Sequence, residues 1–276
     1  MLKTRIITAL VLLAIFVPTM FFGPPEIWGI ASLIALSVAV YEWCKLVSTK
    51  VSAAVPVAAL TAGVGMAWML LAHAFPGQTL KGFLQFVCVA LTLFWIVFGM
   101  RALATRKPVP GGVVIAMIAG LGCWLALLEL RRIGPLAIFS SLAVVVFADV
   151  GAYFFGRAFG RRKLAPSISP GKSWEGAFGG AFLVVILSLV TAASPDLAQT
   201  LPAKLVGKWS SIVATIFLLG LVALSVMGDL HESLLKRLAG VKDSGNSLPG
   251  HGGFFDRTDA LIPTMPAAYL LWSISM

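Results

Sequence analysis

Apolar residues recur along the chain in long runs, separated by short segments that contain proline, glycine or charge. A hydrocarbon core about 30 Å thick needs roughly 20 apolar residues in a helix, so each run predicts one membrane span. The runs are too long and too uniform for barrel strands, and a spanning helix satisfies its own backbone hydrogen bonds. We therefore predict an all-α, polytopic helix bundle. Its nine predicted transmembrane helices are 5–22, 27–47, 52–73, 83–100, 111–129, 135–156, 174–194, 210–228 and 259–275.

Proline and glycine lie between the runs, for example at Gly23-Pro24-Pro25 and Gly134-Pro135, and both residue types end helices. The first run follows Lys3 and Arg5 and so resembles a signal peptide. No small-x-small cleavage site follows it, and we expect it to be kept as the first span.

The composition supports a membrane protein, because 59% of the residues are hydrophobic and only 12% are charged. A soluble domain is nearer 45–50% apolar and about 25% charged. The net charge of +10 does not indicate nucleic acid, since the basic residues lie mainly in short loops. The three cysteines lie in or beside apolar runs without CxxC spacing, which predicts small core residues.

The distribution of Lys and Arg predicts the orientation. If the N-terminus is cytoplasmic, most of the 21 basic residues fall on the cytoplasmic side, as the positive-inside rule requires. The polar loops 157–173 and 229–259 then lie on the same face, where one site has access to soluble nucleotides. We predict a multi-pass protein of the plasma (inner) membrane with its active site on the cytoplasmic face.

Most of the eleven acidic residues lie between positions 149 and 259. Ionisable groups near hydrocarbon are costly, and they are therefore functional candidates. Glu26, Glu42 and Glu129 in the first half lie near span ends, and we interpret them as interfacial anchors.

Asp149, Tyr153 and Arg157 are spaced four residues apart, which places them on one face of a helix. Two interpretations stay open for Asp149. It is either a buried carboxyl neutralised by the tyrosine hydroxyl or a nearby cation, or a carboxylate of the site.

The segment Ser169-Pro170-Gly171-Lys172-Ser173-Trp174-Glu175-Gly176 resembles a phosphate loop superficially. Pro166 stands where a P-loop needs its first glycine, so that motif fails. Hydroxyls and a lysine before a helix N-terminus still favour an anion. The alternative is a capped helix start with a lysine that extends to the surface.

The segment from Asp229 to Asp259 is the most polar part of the chain. It begins with side chains that share one helical face: Asp229, Glu232, Ser233 and Lys236. It ends with Asp256 and Asp259 at the start of the last run. Between them lies a glycine-rich segment that carries Lys242, Asp243 and His251.

Two carboxylates from two helices suit a hard cation such as Mg²⁺, which takes one or two protein carboxylates together with waters and substrate phosphates. The lysines and arginines nearby would neutralise phosphate charge. The residues themselves therefore predict a divalent-metal site for phosphate chemistry at the membrane surface.

Residues 233–259 resemble the phosphatidate cytidylyltransferase family, also called CDP-diacylglycerol synthases. The matching pattern is Ser-x-apolar-Lys-Arg, then Lys-Asp-x-small, then His-Gly-Gly-apolar-x-Asp-Arg-x-Asp. The segments 149–157 and 169–176 also resemble family segments, in the expected order, whereas upstream of 149 the likeness is only hydropathy. His231 departs from the pattern, which has an apolar residue or threonine at that position.

The resemblance implies that CTP and phosphatidic acid react to CDP-diacylglycerol and pyrophosphate with Mg²⁺, in a helical homodimer within the lipid bilayer. It also implies a second, monovalent cation such as K⁺. Asp229 and Asp256 would hold the metal and, with Lys172, form the catalytic set. The predicted substrate-binding residues are Ser169, Ser173, Lys236, Arg237, Lys242, Asp243, His251, Arg257, Asp259, Asp149 and Tyr153. We expect helices for packing and dimerisation in 1–130 and the catalytic region in 131–276.

The chemistry agrees with this assignment. A phosphomonoester with a second pKa of about 6 is largely dianionic at neutral pH, so its attack needs no strong general base. The task is to bring two polyanions together, which metal and cations do. His251 is accordingly expected to shape the loop or contact a phosphate.

Two alternative functions are open, and each predicts a different observation. A CTP-dependent polyprenol or phytol kinase would release CDP in place of pyrophosphate. A secondary transporter would carry midplane carboxylates and broken helices, often in internal repeats. The charge here is concentrated at one face near the span ends, which suits interfacial chemistry better.

Overall fold

The computed structural model describes residues 2–47, 53–75 and 77–276. Its α-helices are α1 (Leu2–Phe21), α2 (Pro25–Val47), α3 (Ala54–Leu71), α4 (Gly77–Phe94), α5 (Met100–Thr105), α6 (Gly112–Ile133), α7 (Pro135–Phe159), α8 (Trp174–Ala193), α9 (Leu201–Lys208), α10 (Ser211–Leu238), α11 (Phe255–Thr258) and α12 (Leu261–Ser275). A π-helical turn at Trp95–Gly99 joins α4 to α5, and 3₁₀ turns lie at Ala72–Ala74 and Pro195–Leu197. Two short strands are β1 (Lys163–Ala165) and β2 (Ser169–Ser173).

The prediction of a helical, multi-pass architecture is confirmed. Within the described ranges, eight helices are long and apolar enough to cross a membrane, counting α4 and α5 as one continuous helix. They correspond to the first eight predicted spans, although residue 52 of the predicted span 52–73 lies outside the described residues. The predicted ninth span, 259–275, falls on α11 and α12, and α12 has 15 residues.

Helix α12 lies in the middle of the bundle, in contact with α4, α6, α7, α9 and α10. Its side chains are buried almost all round, and the Trp272 indole donates to the Ser141 hydroxyl of α7 at 3.1 Å. A helix that is apolar on every side is expected in such an interior position. The shortest of the predicted spans therefore forms part of the core.

The polar loop predicted at 157–173 begins only after α7 ends at Phe159, and it contains an antiparallel β-hairpin. Lys163 pairs with Ser173 and Ala165 with Ser169. Pro166 and Pro170 prevent a helix here, because proline lacks the amide proton and clashes with the preceding turn. The hairpin brings the end of β2 directly to the start of α8.

Helices α7 and α8 pack backbone against backbone through glycines. A Cβ atom added to Gly151 would lie 2.6 Å from the Gly179 carbonyl oxygen and 2.8 Å from the Gly180 Cα. A Cβ on Gly176 would lie 2.8 Å from the Ala152 carbonyl oxygen. Small residues allow this close approach between membrane helices.

Gly151→Ala is therefore expected to force α7 and α8 apart and to destabilise the protein by about 1–3 kcal/mol, the usual cost of overpacking. The measurement is thermal unfolding of the purified protein in detergent. Gly220→Ala on α10 is the matched control, because nothing lies within 4 Å of its added methyl group. Equal stability of the two variants would contradict the packing argument.

Candidate functional site

A cavity of about 1030 Å³ lies between α7, β2, α8, α10 and the segment that leads into α12. Most of the predicted site residues line it together: Asp149, Tyr153, Lys172, Ser173, Asp229, Lys236, Asp243, His251, Asp256, Arg257 and Asp259. Side chains separated by up to 110 positions in sequence therefore share one wall. Ser169, Lys242 and Arg237 lie outside the described lining.

Lys172 enters the cavity from β2 and pairs with Asp229 of α10, with 2.6 Å between Nζ and Oδ2. Both side chains are partly exposed, at 26% and 35%. The end of the hairpin explains this position, since β2 stops at Ser173 and α8 starts at the next residue. The pair joins the two polar segments that the sequence predicted to face each other.

Ser173 is the N-cap of α8: its hydroxyl accepts the amide proton of Gly176 at 3.1 Å. Such a cap satisfies one of the free amides in the first turn. The side chain is buried and its oxygen is engaged. The structure thus shows the capped helix start for Ser173, whereas the Lys172 side chain extends into the cavity. Substrate contact by Ser173 stays a prediction.

Three carboxylates, Asp149, Asp229 and Asp259, line the same cavity as Lys172. Asp259 Oδ1 accepts the Ala260 amide at 2.8 Å. Like charges that crowd one site disfavour ionisation unless a cation joins them. Lys172 supplies one such cation, through its pair with Asp229.

Lys236 bridges two carboxylates on the cavity wall. Its Nζ lies 2.6 Å from Glu232 Oε2 and 2.7 Å from Asp256 Oδ1. Glu232 is only 2% exposed, so the pairing compensates a buried charge. Substrate binding by Lys236 stays a prediction, because in this structure its ammonium group is shared between these two partners.

Asp256 organises the glycine-rich loop, residues 239–254, through its other oxygen. Oδ2 accepts the Ser244 amide at 2.9 Å, the Ser244 hydroxyl at 2.8 Å and the Gly253 amide at 2.8 Å. Burial alone would raise the pKa of Asp256, but these hydrogen bonds and Lys236 outweigh it and hold the pKa below its usual range. Asp256 is thus a stable anion that also shapes the loop.

Gly252 is required at its position for two reasons. Its φ is +83°, in the left-handed region, and an added Cβ would lie 2.7 Å from Asp256 Oδ2. Only glycine adopts such a conformation without strain. The two glycines after His251 thus let the backbone turn closely around the carboxylate.

Two further predicted residues, Arg257 and Arg237, brace the loop and the hairpin. Arg257 donates to the His251 carbonyl oxygen, at 2.8 Å from Nη2, and Arg237 donates to the Ile168 carbonyl oxygen at 3.3 Å. These contacts hold His251 beside the cavity and fasten the hairpin to α10. Substrate contacts by Arg257 and Arg237 are predictions that these bonds do not test.

The donor set fits Mg²⁺ better than a metal held by protein alone. Among the described residues no group of three or more His, Cys, Asp or Glu side chains is arranged to hold an ion. Mg²⁺ needs only one or two carboxylates, since waters and phosphates complete its shell. Asp229 Oδ1 has a weak partner in Ser233 at 3.5 Å, and Asp256 Oδ1 keeps a lone pair beside Lys236.

Residues 3–275 match the sequence model of the Cytidylyltransferase family. The phosphatidate cytidylyltransferase of Pseudomonas aeruginosa is 37% identical over 99% of this chain and 98% of its own length. That of Brucella suis is 35% identical over 99% and 94%, and that of Haemophilus influenzae is 48% identical over 43% and 39%. The chain belongs to the cytidylyltransferase family.

In this cytidylyltransferase the first half of the chain also reaches the site, which its hydropathy did not indicate. The interpretation of Glu42 as an interfacial anchor is wrong, because its side chain is 2% exposed and accepts hydrogen bonds from Ser247 and Phe255. No local pattern signals this role, since these partners lie more than 200 positions away. Glu232 and Arg157 also line the cavity and are not among the predicted site residues. The available signal for Glu232 was its i,i+4 spacing to Lys236.

His231, the departure from the family pattern, lies in an aromatic pocket away from the cavity lining. Its ring centroid is 5.3 Å from Trp43 and 5.2 Å from Trp95, both at edge-on angles. The π-helical turn that begins at Trp95 lies beside this contact. His231 is 1% exposed, so it packs as a flat ring in the core.

Proposed function

We propose that this protein transfers the cytidylyl group of CTP to phosphatidate, which forms CDP-diacylglycerol and releases pyrophosphate. The observation that carries the proposal is the full-length similarity to phosphatidate cytidylyltransferases. The cavity supports it, because cations and carboxylates converge there at the end of two membrane helices.

In the proposed reaction a phosphate oxygen of phosphatidate attacks the α-phosphorus of CTP. The new P–O bond forms as the bond between the α-phosphorus and the bridging oxygen breaks, and pyrophosphate leaves with that oxygen. The attacking group is already dianionic, so the site needs no strong base. This removes the need for a catalytic histidine, and we propose that His251 shapes the loop or touches a phosphate.

We assign roles to the cavity residues according to their charge. Lys172 would move from Asp229 to a phosphate oxygen when the substrate enters, because its ammonium group is partly exposed on the cavity wall. Asp229 and Asp256 would hold Mg²⁺, which when bound neutralises phosphate charge and orients the attacking and leaving oxygens. Hydrogen bonds from the loop keep Asp256 oriented towards the cavity. A monovalent second cation remains a prediction of the family resemblance.

We further propose an N-terminal end in the cytoplasm and the active site on the same face of the inner membrane. Arg5, near the start of α1, donates to the Gly250 carbonyl oxygen at 2.9 Å, so the start of the chain and the loop lie at one end of the bundle. The basic hairpin lies there too, through Lys172. The excess of positive charge at this end supports the cytoplasmic assignment.

The exposed apolar side chains of the first helices support contact with the lipid bilayer and with a second copy of the chain. Examples are Leu10 and Leu13 on α1 and Leu70 on α3. We propose that the segment 1–130 provides the homodimer contact, while 131–276 provides most of the cavity. Crosslinking of the protein in native membranes measures this association.

Purified protein supplied with phosphatidate, CTP and Mg²⁺ is expected to release pyrophosphate and to form a lipid that carries the cytidine nucleotide. The measurement is pyrophosphate release together with mass spectrometry of the lipid. CDP release with a phosphorylated lipid would identify a CTP-dependent lipid kinase instead. No turnover with any lipid acceptor, in protein that elutes as a folded species, would overturn the proposed function.

A further inference from the structure

Glu42 lies near the cytoplasmic end proposed for α2 and is covered by the glycine-rich loop (239–254). Its Oε1 accepts the Ser247 hydroxyl at 2.5 Å, and its Oε2 accepts the Phe255 amide at 2.8 Å. The Ser244 hydroxyl lies 3.5 Å from Oε2. Both donors and the nearby Ser244 hydroxyl belong to the loop or to the first residue after it, so one carboxylate from the first half holds the middle of the loop and the residue that follows it.

Two glycines of the loop give Glu42 its space. A Cβ atom on Gly245 would collide with Oε1, and one on Gly253 would collide with Oε2. Neither glycine has the positive φ that would by itself demand glycine. The carboxylate therefore explains why the loop has no side chain at these two positions.

The contact continues from Glu42 to the proposed metal ligand. Ser244 Oγ donates to Asp256 Oδ2 at 2.8 Å and accepts the Asp256 amide at 3.2 Å. Gly253, which packs against Glu42, donates its amide to the same Oδ2. Ser247, whose contact with Glu42 is the shortest of the three, also accepts the Phe254 amide at 3.2 Å. The loop is thus held between two carboxylates, one on α2 and one in α11.

A buried carboxylate is costly unless donors compensate it, and here the donors are supplied by the loop. Removing the carboxylate would leave the Phe255 amide buried and unpaired, which favours a displaced loop. The Glu42 carboxylate and the donors of the loop consequently stabilise each other.

We propose that Glu42 is a positioning residue for the cytidylyl transfer: it fixes the glycine-rich loop so that Asp256 and His251 face the cavity. The inference rests on the proposed function for its effect on turnover. Its structural part, an ordered loop that depends on Glu42, stands independently of the substrates.

Glu42→Gln tests the proposal, since glutamine keeps the size but replaces one acceptor oxygen by a donor. We expect kcat/KM for CTP to fall about 10- to 100-fold, as for other residues that orient metal ligands. The Mg²⁺ concentration that gives half-maximal rate is expected to rise in the same variant. Glu26→Gln, at the opposite end of the same helix, is the matched control and is expected to keep the parent values.

Amide hydrogen exchange of the whole protein provides the readout that is independent of turnover. In Glu42→Gln we expect faster exchange at residues 243–256 and unchanged exchange in α6 and α12. Exchange that accelerates equally in α6 and α12 would indicate general destabilisation and would overturn a positioning role. Parent-like exchange and kinetics in Glu42→Gln would also overturn it.

Ser247→Ala is a milder variant that decides the matter if Glu42→Gln does not fold. It removes one donor to Glu42 and is expected to raise loop exchange and lower kcat/KM by several-fold, the effect of about one hydrogen bond. Parent values in both measurements would overturn the proposal. Where both variants fold, their combination should lose less than the product of the single effects, because the two groups act through one contact.

The two failures are distinguishable. If the unaltered protein releases no pyrophosphate, the proposed function fails, and the exchange experiment still measures whether Glu42 orders the loop. If the unaltered protein is active and Glu42→Gln is equally active with an equally protected loop, only the present inference fails.

Discussion

Asp229→Asn is expected to lower the turnover number about 1,000-fold, a loss typical of removing one electrostatic element from a preorganised site. Asparagine keeps the shape but removes the negative charge that pairs with Lys172. It also removes one of the two carboxylates proposed to hold Mg²⁺, which prefers carboxylates. The measurement is pyrophosphate release at saturating CTP and phosphatidate over a range of Mg²⁺ concentrations.

Asp196→Asn is the control for this experiment, because Asp196 is exposed in the 3₁₀ turn between α8 and α9 and takes no part in the cavity lining. It is expected to keep the parent rate. Asp229→Asn that also kept the parent rate and Mg²⁺ dependence would remove Asp229 from the metal site. A loss that excess Mg²⁺ partly restored would support the assignment.

Asp256→Asn is expected to abolish most activity and also to loosen the glycine-rich loop. The carboxylate accepts four hydrogen bonds, from Lys236, Gly253 and both donors of Ser244. Asparagine keeps one acceptor oxygen, but its amide nitrogen is a donor and would face the donor groups that the lost oxygen had accepted. Leaving buried donors unpaired costs about 1–3 kcal/mol each. Thermal unfolding and pyrophosphate release should therefore both change, whereas Asp229→Asn should mainly affect the rate.

The pH dependence of stability distinguishes this role of Asp256 further. The pKa of Asp256 is lower in the folded protein than the value of about 3.9 for an unfolded chain. Its contribution to stability is therefore complete above that value and is lost as the pH falls towards the folded-state pKa. The unfolding temperature of the parent protein, measured by scanning calorimetry, should therefore fall more steeply below about pH 5 than that of Asp256→Asn. Parallel profiles would contradict the assigned hydrogen bonds.

Chain-local features predicted much of the molecule correctly. Runs of apolar residues placed the first eight membrane helices to within a few residues at most ends, because hydrophobic length is a property of a single segment. The i, i+3, i+4 and i+7 spacing placed Asp229, Glu232, Ser233 and Lys236 on one face of α10, which continues as a helix to Leu238. The N-cap at Ser173 was one of the two interpretations of its segment, because capping also depends only on neighbouring residues.

Other features required contacts between distant segments. The prediction of a helical protein omitted the hairpin of β1 and β2, whose strands have three and five residues. The predicted last span, 259–275, also gave no indication that α12 packs inside the bundle. The division into 1–130 and 131–276 stays a prediction, and Glu42 connects the two parts across it.

The sequence by itself determined that the chain is a polytopic helical membrane protein with a concentrated set of carboxylates and cations between 149 and 259. These conclusions depend on hydrophobic length and helical period, which operate within one segment. Only the tertiary structure decided how the charges are paired: Lys172 with Asp229, Lys236 between Glu232 and Asp256, and Glu42 beneath the loop. Pairing depends on how helices cross and where each side chain ends, and no single segment specifies the position of its partner.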